Sequence, residues 1–216
     1  MNTTATLRPP AAHGEAGSSP LSAPPLSSRA LDTGLWVFIG VASALFALFL
    51  TAYVMRMDGA DWSTIALPRQ LWLSSALLLA SSALLQRSSS AAGRGQWGRA
   101  RASLLAGGGC AIAFLGVQLW AWQALVEARV MLAGNPAASF FYVLTALHGL
   151  HVLGGLVAWV VTTASVSRPA GLARAVALRV ALCARYWHFL LAVWVVLFAA
   201  LGWLTPEVVR IICGRG

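Results

Sequence analysis

From Ala137 to Ser167 the chain carries no Asp, Glu, Lys or Arg, and Leu35 to Met55, LWVFIGVASALFALFLTAYVM, is equally free of charge. An unbroken apolar run of this kind restricts the fold more than any other feature. A segment of about 20 such residues crosses the hydrocarbon of a bilayer as an α-helix, because only a helix bonds every backbone N–H and C=O within itself. Three further runs have the right length and polarity. The spans are expected at about 35–55, 67–86, 102–126, 137–167 and 178–204, the last led into by an amphipathic stretch from Ala175. Short alternating strands of the β-barrel kind are missing. The expectation is an all-α integral membrane bundle of five transmembrane helices, forming one domain over residues 31–206 with a short C-terminal tail at 207–216.

Composition agrees. Of 216 residues, 59% are hydrophobic and only 10% charged, against about 25% charged in an ordinary soluble domain. The net charge of +9 comes entirely from arginines. They sit between apolar spans rather than along one soluble face, so nucleic acid is excluded as a partner. Residues 1–30 are rich in Pro, Ser and Ala and read as a disordered tail without the apolar core of a signal peptide. Cys110, Cys183 and Cys213 fall in separate segments with no metal-ligand spacing.

The loops set the orientation. Arg87, Arg94, Arg99 and Arg101 follow the second span without an acid, and Arg168, Arg174, Arg179 and Arg185 follow the fourth. The loops on the other side mix Arg56 and Arg69 with Asp58 and Asp61, and Glu127 with Arg129. Arginine-rich loops stay in the cytoplasm. The N-terminus is therefore expected there and the C-terminus in the periplasm.

All six acids, Glu15, Asp32, Asp58, Asp61, Glu127 and Glu207, lie in the tail, in loops or near span ends. Proton relays and ion sites use intramembrane carboxylates, so an independent transporter is disfavoured. The titratable groups left inside are His148 and His151, three apart on one helical face, and His188 in the fifth span. Two readings stand. His148 or His151 facing His188 would make a metal or haem site; otherwise each imidazole is neutral and hydrogen-bonds a neighbouring helix. Gln118, Gln123, Ser139, Tyr142 and Thr145 are candidate partners. Trp120, Trp122, Tyr186, Trp187 and Trp194 either pack on a cofactor or fill helix interfaces.

FFYVLTALHGLHVLGG, from Phe140 to Gly155, and YWHFLLAVWVVLF, from Tyr186 to Phe198, resemble the two signature segments of subunit III of haem-copper terminal oxidases, the cytochrome c oxidase type. LPRQLWLSSALLLASS, from Leu67 to Ser82, is similar to a third segment of that family, with Ser74 and Ser75 where Asn-Thr is common. The resemblance runs from about Gly34 to Leu204 and fits the five-helix bacterial form, placed in the bacterial cytoplasmic membrane. It implies a non-catalytic subunit with no haem or metal of its own. Such a subunit packs on subunit I in a complex with subunit II, binds structural phospholipid and supports proton uptake in aerobic respiration. The haem and copper lie in the partner subunits. The motif residues carried over are Gln118, His148, Gly149, His151, Gly155, Trp187, His188 and Trp194, in structural roles. Where the family often has intramembrane acids, this chain has Ala42, Ala121 and Leu191. That departure leaves open a related complex, such as one of the nitric oxide reductase kind.

Overall fold

In a computed structural model, the described residues are 26–63, 68–128, 130, 135–167 and 173–212. Among them there are six helices and no strand. They are α1 (Leu26–Arg56), α2 (Gln70–Gly93), α3 (Trp97–Glu127), α4 (Pro136–Val166), α5 (Ala173–Trp203) and the short α6 (Pro206–Ile212). With 1.5 Å of rise per residue, the 24 residues of α2 extend about 36 Å and the longer helices more than that. Residues 29–56 of α1, and all of α3, α4 and α5, are long and apolar enough to cross a membrane. The serine-rich α2 falls outside that group. The expected fold class holds at this level: the chain is all-helical, with four such helices among the described residues.

Helix α1 begins at Leu26, earlier than the boundary expected at residue 30. Pro24 and Pro25 stand just before that start, and proline is tolerated at a first turn but not inside a helix. The remainder of the expected tail, residues 1–25, lies outside the described residues, as do Arg129, Arg168 and Cys213.

Local chemistry sets the other ends. Helix α2 closes with a Schellman turn: the Gly95 N–H donates to the Ala92 carbonyl at 3.0 Å and the Gln96 N–H to Ala91 at 2.9 Å. Gly95 has φ of +71°, a backbone state in which a Cβ is unfavourable. Asn135 caps α4, its Oδ1 accepting from the Ala137 N–H at 3.0 Å, with Pro136 at the first helical position. The same side chain donates to the Ser63 carbonyl at 2.6 Å, tying the start of α4 to the segment between α1 and α2.

Cross-helix contacts fix the directions. Ser75 meets Trp194 and Ser82 meets His188, so α2 and α5 are antiparallel. Trp122 meets Thr145 and Trp159 meets Leu104, so α3 and α4 are antiparallel as well. Tyr53 packs on Phe140 and Phe38 on His151, opposing α1 to α4. The five long helices therefore alternate in direction. Helix α2 packs most extensively on α3, α5 lies against α1, α2 and α4, and α1 touches mainly α5 and α4.

The surface is apolar and much of the interior is small or polar. Val37, Val41, Leu48, Met55, Leu150 and Val157 are exposed, while Ser74, Ser81, Ser82 and Ser88 are buried. Small and hydroxyl residues let helix backbones approach. Ser81 donates to the Gly107 carbonyl at 2.8 Å and Ser88 to Ala100 at 2.7 Å, stitching α2 to α3.

Candidate functional site: a polar layer inside the bundle

The three intramembrane histidines occupy three different surroundings. His148 on α4 is 0% exposed. Its ring lies among Trp194 of α5 at 5.2 Å, Phe114 of α3 at 5.8 Å and Phe46 of α1 at 6.4 Å, centroid to centroid. Neither ring nitrogen has a hydrogen-bond partner among the described residues. His151, one turn on, is half-buried beside α1. Its Nδ1 lies 2.8 Å from the Leu147 carbonyl, and its ring packs 5.2 Å from Phe46 and 5.9 Å from Phe38. His188 on α5 turns toward α2: Nδ1 bonds the Ser82 hydroxyl, and Nε2 lies 3.0 Å from Gln86 Oε1. Since the Gln86 oxygen can only accept, Nε2 is the donor there and Nδ1 accepts from Ser82.

The haem or metal alternative needs His188 turned toward His148 or His151. The structure instead commits His188 to Ser82 and Gln86. Among the described residues no three His, Cys, Asp or Glu side chains converge in a way that could hold a metal ion. Of the cross-helix hydrogen bonds expected for the three histidines, His188 makes its own to α2, His151 instead bonds a carbonyl of its own helix, and His148 has no partner among the described residues.

The other motif residues shape the packing around this layer. Trp194 donates its indole N–H to Ser75 at 2.9 Å. Trp187 is fully buried, and its ring lies so near Gly155 that a Cβ there would stand 2.8 Å from Cζ3. Gly149 is looser, with Leu115 at 3.9 Å from such a Cβ. Gln118 is 4% exposed, and neither amide atom has a hydrogen-bond partner among the described residues. Thr145 accepts from the Trp122 indole at 3.1 Å and donates to the Phe141 carbonyl at 2.6 Å. Ala42 and Ala121 are buried at 3% and 0% exposure, and Leu191 is half-buried against the main cluster. The two alanines thus bring no charge to positions that face the core.

Some determinants escaped the sequence reading. Trp159 donates to the Leu104 carbonyl at 2.8 Å and seats its ring over Gly108. Asp32 pairs with Arg185 at 2.5 Å, and the Arg185 guanidinium lies 5.5 Å from the Trp36 ring centroid. The only sequence signal for the first was the run Gly107-Gly108-Gly109, and for the second the isolation of Asp32 ahead of an uncharged span.

Grooves open on the helical surface, two of them roomy. One, of about 590 Å³, lies between α1, α4 and α5; Leu35, Phe38, Ala158 and Leu182 form its walls and Arg179 stands at one end. The second, of about 700 Å³, runs between α3 and α4 and includes Trp122, Tyr142 and Glu127. Arg179 also donates to Ser165 at 2.9 Å. In the first interhelical loop, Arg56 donates to Asp61 at 2.6 Å, and this bond holds the Asp61 carboxyl below the usual carboxylate range.

These features define a polytopic α-helical membrane protein whose core is built from aromatic, serine and histidine contacts. Residues 27–205 match the family described as cytochrome c oxidase subunit III. The chain belongs to that family, a subunit of the haem-copper oxidases. It is 31% identical over 176 residues to the cytochrome c oxidase subunit 3 of Synechocystis sp., covering 76% of this chain and 72% of that protein. A stretch of 92 residues is 35% identical to the probable cytochrome c oxidase subunit 3 of Nocardia farcinica; that match spans 41% of this chain and 43% of its relative. The quinol oxidase subunit 3 of Bacillus spizizenii is 27% identical over 201 residues, covering 86% of this chain and 94% of the relative.

Proposed function

We propose that this chain is a non-catalytic subunit III that packs on the redox subunit I of a respiratory oxidase in the bacterial cytoplasmic membrane, with subunit II in the same complex. All five long helices cross the bilayer, the N-terminus lies in the cytoplasm and the C-terminus in the periplasm. The observation that carries the non-catalytic role is the core itself. Its buried polar side chains are histidine, serine, threonine and glutamine; the serines and Thr145 bond backbone carbonyls or a neighbouring side chain, and His148 and Gln118 have no hydrogen-bond partner among the described residues. Such a set stabilises a bundle and transfers no electrons. The crossing by α2 is supported by its bonds along α5 and α3, because Ser75, Ser82 and Ser88 place it at the depth of helices that are themselves long and apolar enough to span.

Haem and copper belong to the partner subunits in this reading, and the chain supports proton uptake by its neighbour through packing rather than by a carboxylate relay. Structural phospholipid fits the groove between α1, α4 and α5. Its apolar walls suit acyl chains and Arg179 suits an anionic headgroup.

The test is affinity purification of the tagged chain from mildly solubilised membranes. Haem and copper should copurify with it in one complex that consumes oxygen, with cytochrome c and quinol each tried as donor. A chain that purifies free of any redox-active partner at its native expression level would overturn the assignment. A complex that reduces nitric oxide and not oxygen would replace it with the related reductase.

A further inference from the structure

Four hydrogen-bonding atoms in the layer around His148 have no partner among the described residues: both ring nitrogens of His148, and the amide nitrogen and oxygen of Gln118. They belong to facing helices at the same height. Trp122 of α3 meets Thr145 of α4, and Leu115 lies beside Gly149. An antiparallel pair held at those contacts brings Gln118 level with residues 145–149. The azimuth agrees, because Gln118 lies one turn beyond Phe114 on the buried stripe of α3, and Phe114 packs edge-on against the His148 ring at 5.8 Å.

We propose that a single buried water bridges Gln118 and His148 and pins α3 to α4 at mid-bundle. Buried polar groups in native proteins are almost always hydrogen-bonded, to protein or to ordered water. Neither side chain has a hydrogen-bond partner among the described residues, the other included; two buried polar groups at one level that do not bond each other directly are the arrangement a bridging water completes. The chemistry is complementary. A neutral imidazole offers one donor and one acceptor and the carboxamide offers both, so one water can donate to one group and accept from the other. No nearby side chain competes for these atoms. Thr145 is already engaged by Trp122 and Phe141, and Trp194 by Ser75. Ala121, one turn beyond Gln118, and Gly149, next to His148, add no bulky side chain at this height.

The test uses the assembled complex. A map at a resolution that shows ordered waters should contain one peak within hydrogen-bond distance of both Gln118 and His148. Melting of the complex gives a second readout. Gln118→Leu and His148→Leu should each lower the melting temperature, and the double variant should lose less than the sum, because the second change removes a group that the first has already orphaned. A direct bond between the two side chains, or separate protein partners for each, would overturn the bridge, as would strictly additive losses. Variants that fail to assemble leave the map of the unmodified complex to decide.

Discussion

The indole of Trp159 on α4 fills the space that a side chain at Gly108 on α3 would need: a Cβ there would stand 2.1 Å from Cε2. The same indole donates its N–H to the Leu104 carbonyl at 2.8 Å, so it cannot move away without breaking that bond. Gly108→Ala should destabilise the subunit by about 1–3 kcal/mol, the usual cost of overpacking. Gly109→Ala, which meets nothing within 4 Å, should be neutral or slightly stabilising, since alanine is the better helix former. Thermal melting of the two variants in detergent checks the contrast.

Ser81→Ala and Ser88→Ala each remove a hydroxyl donor from α2 to an α3 carbonyl. Each should cost about 0.6 kcal/mol, typical of a side-chain hydrogen bond between membrane helices. Ser81→Val should cost more. The Gly107 backbone approaches so closely there that Leu85 Cγ and the Ser81 carbonyl lie 3.0 and 3.3 Å from its ideal Cβ position. Unfolding titration in mixed micelles measures the series.

Single cysteines at Arg94 and Arg174, in a background lacking native cysteines, should resist an impermeant thiol reagent added to whole cells. A cysteine at Asp61, on the opposite side, should react. Arginine retention in the cytoplasm is the physical basis, and the reverse pattern would invert the proposed topology.

Purified without its partners, the subunit should show no Soret absorption and no bound iron or copper. His188 spends both ring nitrogens on Ser82 and Gln86, and His151 spends Nδ1 on a backbone carbonyl. Absorption spectroscopy and elemental analysis are sufficient; a haem band lost in His188→Ala would refute the assignment.

The first loop should loosen in acid. The hydrogen bond from Arg56 lowers the Asp61 carboxyl. A carboxyl lowered in the folded state stabilises at and above its unfolded pKa, and that contribution is lost as pH falls through the lower folded value. Both side chains are exposed, so the effect should be local and screened by salt. Amide protection at Gly59 and Trp62, which bond to Arg56 and Gly59 carbonyls, should fall in acid when exchange is referenced to the unstructured rate at the same pH. Asp61→Asn should give the same loss of protection at neutral pH.

The acid-free loops, the long apolar runs and the histidine motifs were all legible in the sequence, and so was the family. The partners of those histidines were not. His148 and His151 lie three residues apart and share a helical face, yet one is enclosed by Phe46, Phe114 and Trp194 while the other sits half-open beside α1. Ser82 as the partner of His188 was equally unreadable, because a serine in a membrane helix bonds back to its own helix as readily as across to another. Ser74 and Ser75 do the former, both donating to the Leu71 carbonyl.

By itself, the sequence determined that the chain forms long helices and that hydrocarbon surrounds them. An apolar run must close its own backbone hydrogen bonds, and no neighbour is needed to enforce that. Only the tertiary structure decided which face of each helix turns inward. In a soluble protein, polarity marks the outer face; here Val157, exposed on the outside of the bundle, and Val152, buried against the core, are both valines on one helix. With lipid as apolar as the protein interior, the choice falls to shape and to scarce polar groups: the flat place at Gly108 that receives Trp159, the serines that reach α3 carbonyls, and the layer that encloses His148.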